Sequence, residues 1–191
     1  MTHILDEKLG PMAPFVIGLL RELDALGIDL LHPEIDHLCY RAASLDEYLI
    51  LRDRLADAGD LLVEGMIGGR PIATYRLHQP LKIQMLSKDG RALDIQVPCI
   101  ELAAPKPGRN HQAGLEHIEL VVASLAALIA AHPQLAFKTG NMGDSRNPDV
   151  GLMLSSGQVK FHLRSLEAVI AEEIGTAAVV PVPGDYFVQQ D

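Results

Sequence analysis

Aromatic residues are scarce in this chain. Phe, Trp and Tyr make up 4% of it, and tryptophan is absent. That argues against stacked aromatic platforms for single-stranded nucleic acid. Basic residues are outnumbered, 16 against 25 acidic ones, for a formal net charge of -9. Duplex nucleic acid and anionic membrane surfaces are therefore repelled on average. Cysteine occurs only at Cys39 and Cys99, too rarely for a disulfide framework and at a spacing that matches no zinc knuckle. No apolar run reaches membrane-spanning length. The first twenty residues, which carry Asp6, Glu7 and Lys8, lack the basic start and apolar core of a signal peptide. The expectation is a cytoplasmic protein with neither nucleic acid nor membrane as partner.

What is present suffices for a core. Of 191 residues, 48% are hydrophobic, enough for one compact domain or two small, closely packed modules. The most informative stretch runs from Leu115 to Val122. It alternates at period two, so His117 and Glu119 share one face of a half-buried strand with Leu115 and Val121. A histidine and a carboxylate on one strand face either meet solvent or converge on something.

The stretch has an echo. Ile35-Asp36-His37-Leu38 begins like it, and Ala43-Ser44-Leu45 repeats Ala123-Ser124-Leu125, eighty residues apart. Each copy then enters a helix-favouring run, which indicates an internal duplication. In the first unit, strand 35–41 leads to a helix capped by Ser44, with Glu47 completing a capping-box pattern and Gly59 ending it. Strands follow at 61–67, 71–77, 81–86 and 92–97, with turns at Gly68-Gly69 and Lys88-Asp89-Gly90, and Pro98 interrupts the ladder or marks an edge. In the second unit, strand 115–122 leads to a Ser124-capped helix, strands at 135–138, 151–154 and 159–163, and a Ser165-capped helix. Each unit thus reads as βαβββ. The fold class is α+β: paired βαβββ modules forming mixed curved sheets around a central groove, helices outside. The division is an N-terminal helical extension over 1–34, with its helix at 11–28 and a linker at 28–33, a first module over 35–102, a connector over 103–114, a second module with a C-terminal helix over 115–175, and a tail over 176–191 that docks or stays loose.

The duplication supplies the chemical argument. Two related strands place His37 and His117 symmetrically, and Glu101 and His162 fall near the last strand of each module, so these four are the candidate metal ligands. Imidazole with carboxylate suits Zn, Fe, Mn, Ni or Co as a divalent ion. No local motif such as His-Glu-x-x-His supports this; the signal is one of long-range arrangement. Glu119 is the candidate for orienting the His117 imidazole or serving as general base. Arg41, Arg70 and Lys160 are candidates to bind a substrate carboxylate. His78 reads as a ligand, a substrate contact or a turn residue. Lys106 and Arg109 supply either solubility or a positive mouth to the groove. Cys39, on the face of His37, reads as a small buried residue, a soft ligand or a thiol nucleophile.

These motifs resemble the YecM-like family, expected metal-binding proteins of the vicinal oxygen chelate superfamily, which also holds glyoxalases, extradiol dioxygenases and bleomycin resistance proteins. The resemblance rests on Asp36-His37, Gly69-Arg70-Pro71-Ile72, Leu77-His78-Gln79-Pro80, Ile100-Glu101-Leu102, Glu116-His117-Ile118-Glu119 and Val159-Lys160-Phe161-His162, and spans about residues 12 to 175. It implies paired βαβββ modules around a divalent metal that chelates two neighbouring substrate oxygens, with His37, Glu101 and His117 in ligand positions. The fourth position is usually Glu in the superfamily; the nearest match here is His162. Leu115 stands where the family often has Trp, and the run from Leu81 to Pro98 is longer than the family pattern. The implied function is a metal-dependent isomerase, lyase, epimerase or oxygenase acting on a small oxygen-rich anionic metabolite. The alternative is a non-catalytic small-molecule-binding module of the same fold. The modules can pair within one chain or across a homodimer, since the connector permits either.

Overall fold

The computed structural model describes residues 3–29 and 33–188. Residues 1–2, the linker's 30–32 and the tail's 189–191 lie outside the described residues. The two acid-His stretches become neighbouring strands. Strand β1 (Glu34–Arg41) pairs antiparallel with β5 (Gly114–Val121) at the middle of a seven-stranded mixed sheet. Outward from β1 come β4 (Ala92–Ala103), parallel to it, then β3 (Arg70–Leu86) and β2 (Gly59–Ile67). Outward from β5 come β7 (Gln158–His162), again parallel, and β6 (Asp149–Met153). The two halves therefore repeat one pairing scheme about the β1–β5 junction, as the duplicated sequence leads one to expect.

Local chemistry explains the elements. Helix α3 (Leu45–Ala56) starts where the Ser44 hydroxyl accepts from the Glu47 amide at 3.1 Å. Glu47 reaches back one residue beyond the usual capping box, accepting from the Ala43 amide at 2.8 Å and from the Tyr40 hydroxyl at 2.9 Å. Ser124 and Ser165 cap α4 (Leu125–Ala131) and α5 (Leu166–Gly175) in the same manner. The β2–β3 turn is tight because Gly68 and Gly69 both take positive φ, 58° and 81°, the conformation a two-residue hairpin requires. Two further helices, α1 (Asp6–Leu9) and α2 (Met12–Ala25), precede the sheet.

The two sheet faces differ in chemistry. Leu38, Tyr40, Ile100, Leu102, Ile118, Leu120, Val159 and Phe161 share the main core with Val16, Leu19, Leu20 and Leu23 of α2 and with Leu51 and Leu55 of α3. Burying each such side chain contributes about 1.5–3 kcal/mol before entropy is counted. The opposite face carries His37, Cys39, Glu101, His117, Glu119 and Lys160, as their register across β4, β1, β5 and β7 requires.

Four details depart from the sequence reading. The runs at 71–77 and 81–86 form one strand, β3, not two. Between the pairs Arg76–Cys99 and Leu81–Val97 the ladder shifts, and Pro80 and Pro98 both fall in that irregularity, where neither needs to donate a hydrogen bond. Strand β4 accordingly runs through Pro98 to Ala103. In the second unit the run 135–138 is reduced to an isolated bridge between Lys138 and Gly151; the chain there turns, with Phe137 N bonded to Leu135 O at 3.0 Å, instead of extending. Finally, α5 does not sit outside. Leu166 and Ile170 line a cavity with Ile72, Thr74 and Glu101 on the polar face of the sheet. The tail docks as well: Met66 N donates to Val180 O at 2.8 Å, and Phe187 stacks on Tyr48 with ring centroids 6.0 Å apart.

Candidate metal centre

Strand pairing brings the site together. On β1 and β5, His37 faces Glu119 and Cys39 faces His117 across the antiparallel ladder. The ladder shifts register twice. One shift leaves Asp36 as an extra residue on β1, the other leaves Glu116 as an extra residue on β5. By simple alternation both acids belong on the core face with Leu38 and Ile118. An extra residue turns its side chain out of the alternation. Asp36 thereby reaches the imidazole beside it, with His37 Nδ1 3.0 Å from Asp36 Oδ2. The same Oδ2 accepts from the Leu166 amide at 2.8 Å, which ties the first turn of α5 to the site. Glu116 meets the Arg41 guanidinium and stands 4.0 Å from His117 Nδ1. The repeated acid-His dipeptide thus carries a register shift in each copy, but only Asp36 bonds its histidine: Glu116 pairs with Arg41, and His117 Nδ1 has no hydrogen-bond partner among the described residues.

Glu119 lies at the centre of the cluster. Its Oε1 is 3.3 Å from His117 Nε2, 3.6 Å from His37 Nε2 and 2.8 Å from Lys160 Nζ; its Oε2 is 2.6 Å from His162 Nε2. Glu101 Oε2 stands 3.9 Å from His37 Nε2. His37, His117, Glu119 and His162 are all buried, at 0%, 3%, 5% and 5% exposure. The Nε2 atoms of His37, His117 and His162 are close to carboxylate oxygens, yet none of them is aligned as a hydrogen bond. Buried imidazole nitrogens without a partner are costly. Each of two rings is fixed by its other nitrogen, His37 through Asp36 and His162 through Asn147 Oδ1 at 3.0 Å. That leaves Nε2 as the free lone pair, the arrangement of a metal-ligating histidine with an outer carboxylate or amide partner. His37, His117 and Glu119 can offer one ligand atom each with all three atoms within 4.8 Å of one another. The donor set fits a divalent transition ion.

Burial and the buried carboxylates act against each other here, and at His37 the carboxylates favour a charged ring, so an ion taking Nε2 as ligand must displace a proton. Burial opposes charge on Glu119, but His37, Lys160 and the approach of His117 and His162 hold its carboxyl well below the usual range. Burial pulls the His37 imidazole down, while Glu119, Asp36 and Glu101 outweigh it and raise the pKa to about 9. Burial also lowers His117, and Lys160 adds to that against the pull of Glu119 and Glu101, which favours the neutral ligating ring. Burial, Glu101 and Glu116 push the Cys39 thiol well above its ordinary value, the opposite of what a thiol nucleophile needs. Cys39 does stand with Glu116 and His117 in a second grouping of ligand atoms within 4.8 Å.

Of the residues singled out in the sequence, His37, Glu101, His117, Glu119, Lys160 and His162 come together here. Arg41 lies at the end of β1 beside Glu116, and Arg70 at the start of β3. His78 stands apart. It sits in the irregular stretch of β3, half exposed, with Nε2 3.2 Å from Asp60 Oδ1. The register also gives Lys160 a place that its strand alone does not reveal. Glu101 lies opposite Cys39, two residues past His37, and Lys160 lies opposite Glu119, two residues past His117. Lys160 is therefore the counterpart of Glu101, and His162 comes one pleat later. Asp36 as the orienting carboxylate was legible only as the acid of an acid-His repeat.

A mixed sheet of two related units, joined at paired central strands that carry a buried His/Glu cluster able to coordinate a metal, defines an α+β protein with a candidate metal centre on the seam between its halves. More narrowly, the chain belongs to the YecM family: the family model "YecM protein" matches residues 5–173. Protein YecM of Escherichia coli (strain K12) is 30% identical over 180 residues, covering 84% of this chain and 89% of that protein. An uncharacterized protein of Haemophilus influenzae is 37% identical over 129 residues, 64% of this chain and 61% of that one. A solved structure, "Structural Genomics, Protein EC4020", is 28% identical with a TM-score of 0.68, covering 87% of this chain and 92% of that chain. Among the described residues no helix is long and apolar enough to cross a membrane.

Proposed function

We propose that this protein is a divalent-metal-dependent enzyme acting on a small, oxygen-rich, anionic metabolite. The observation that carries the reading is the convergence of three buried, unpartnered imidazole Nε2 atoms on the Glu119 carboxylate. His37, His117 and Glu119 would hold the ion as two imidazoles and one carboxylate, with His162 beside the second oxygen of Glu119. That set leaves coordination positions open for substrate oxygens and suits Fe, Mn, Ni, Co or Zn. The bound ion would supply Lewis-acid polarisation of a substrate carbonyl or of a developing enediolate.

The remaining steps belong to the chain. Both oxygens of Glu119 are engaged by histidines and by Lys160, so the proton-moving role passes in this proposal from Glu119 to Glu101. Glu101 lines a cavity of about 310 Å³ together with Ile72, Thr74, Leu166 and Ile170. Such a site, apolar with a few polar groups, excludes water and lets a carboxylate take a proton from carbon next to a carbonyl. Isomerase, epimerase or lyase chemistry follows from that pairing. Lys160 pins Glu119 and keeps it charged.

The test is calorimetric titration of metal-stripped protein with Zn(II), Mn(II) and Co(II). One ion per chain is expected, and His37→Ala and His117→Ala should each lose more than the roughly 10–100-fold typical of removing an outer partner. Unchanged affinity in both variants overturns the proposal.

A further inference from the structure

Beyond the metal cluster, the same sheet face ends in a concentration of positive charge. Arg41 and Arg70 both lie there. Arg41 neighbours Ala103, which pairs with Ile72, two residues from Arg70. The chain leaves the sheet at this point, where Ala42 N bonds to Ala103 O at 2.9 Å and Ala104 N to Pro71 O at 3.0 Å, and it returns at Gly114 opposite Arg41. The connector between must arc past both arginines, and it brings Lys106 and His111. The chain as a whole carries a net charge of -9, so this clustering runs against its composition.

Arg41 and Arg70 are both largely buried residues, with exposures of 8% and 9%. Arg41 Nη1 and Arg70 Nε have no hydrogen-bond partner, and neither has His111 Nε2. Arg41 spends one nitrogen on Glu116. Among the described residues no carboxylate lies within ion-pair distance of Arg70. Two largely buried arginines near one another, with donors unmatched, are an unstable arrangement unless an anion sits between them. The crowding is visible in their titration: burial and then Arg41 lower the Arg70 pKa, and Arg70, burial and Arg41 lower that of Lys106. Planar N–H forks and an ammonium are the donors that bind carboxylate and phosphate.

We infer that Arg41, Arg70, Lys106 and His111 form an oxyanion subsite that holds the non-reacting anionic end of the substrate, beside the metal centre and separate from it. The inference deepens the proposed function, since it names a carboxylate or phosphate group as the handle by which the metabolite is oriented. The groove then reads from end to end: an oxyanion at the arginines, substrate oxygens near His37 and His117, and an apolar portion under α5.

The probes are inorganic phosphate and succinate, titrated at low ionic strength into protein as purified and again after chelator treatment. Both treatments should show binding, because the arginines do not depend on the metal. Arg70→Gln should weaken it roughly tenfold or more in the chelated protein, as expected for loss of a hydrogen bond to a charged group. Tighter phosphate binding assigns a phosphoryl group, and tighter succinate binding a carboxylate; either supports the subsite. If Arg70→Gln fails to fold, Arg70→Lys keeps the charge without the fork, and the Nε–H resonance of Arg70 in ¹⁵N-arginine protein should move on anion addition. No binding to chelated wild type, or equal affinity in the Arg70 variants, overturns the inference. A protein that binds the anions but takes up no divalent ion overturns the metal centre and leaves this subsite standing. One that takes up the ion but ignores both anions after chelation does the reverse.

Discussion

His37 and Asp36 show how much one backbone irregularity can decide. Asp36 precedes the histidine and by period two would point into the core. The register shift on β1 turns it toward His37 Nδ1 and the amide of Leu166. Outer carboxylates of this kind fix tautomer and ring orientation, and their loss commonly weakens metal binding by roughly 10–100-fold. Asp36→Asn keeps the shape and an acceptor oxygen but removes the charge. We expect it to weaken divalent-ion affinity within that range while the fold persists, read by calorimetry and far-UV circular dichroism. Affinity equal to wild type shows that Asp36 serves only to cap α5. The residue scale is also where sequence reading succeeded and failed most plainly. The period-two pattern of 115–122 placed His117 and Glu119 on one face, and the duplication paired His37 with His117. The outward turn of Asp36 and Glu116 was not legible, because a register shift is a property of two strands together and leaves no mark on one. His78 was drawn toward the site on paper for the same reason: only the Pro80–Pro98 irregularity, a feature of the paired strands, shows it splayed toward Asp60.

At the scale of elements, capping serines and glycine turns announced α3, α4, α5 and the β2–β3 hairpin correctly. The placement of α2 and α5 rests on contacts between distant parts of the chain. Glu22 on α2 accepts from the amides of Ser155 and Ser156, at 2.8 and 3.1 Å, and so clamps the helix to the β6–β7 turn. Burial is the largest single effect on its carboxyl and raises the pKa, but the hydrogen bonds from the two serines together outweigh it and hold the pKa below the usual carboxylate value. The sign follows directly. A carboxyl whose folded pKa is depressed contributes stability that is present above its unfolded value near 4.5 and is lost as pH falls through the lower folded value. Glu22→Gln should therefore be less stable than wild type at pH 7, and the gap should close as pH falls below about 4.5. Urea midpoints measured from pH 7 to pH 3 check this; a gap that stays constant with pH shows that the clamp is not charge-dependent. No pattern in residues 12–25 foretells that contact, since the partner amides lie more than a hundred residues away. The shortfall of the second unit is of the same kind. The run 135–138 has a strand's composition, but its flank supplies only one bridge to β6.

At the scale of the molecule, the cluster sits on the seam between the two repeated halves. His37 comes from the first unit, His117 and Glu119 from the second, and β1 and β5 are their central paired strands. An ion held there is bound by the assembled sheet and not by either half alone, so its binding free energy adds to folding stability. At a free concentration 100 times the dissociation constant the gain is about 2.7 kcal/mol. For a chain of this length, a shift of roughly 2–4 °C per kcal/mol places the rise in melting temperature at about 5–10 °C. The increase should appear with wild type on adding a divalent ion, vanish with chelator, and be absent from His37→Ala and His117→Ala alike, because each half supplies an indispensable donor. Differential scanning calorimetry reads all four conditions. A rise that survives one histidine substitution unchanged places the ion within a single unit, and the shared seam would then be a feature of the fold alone.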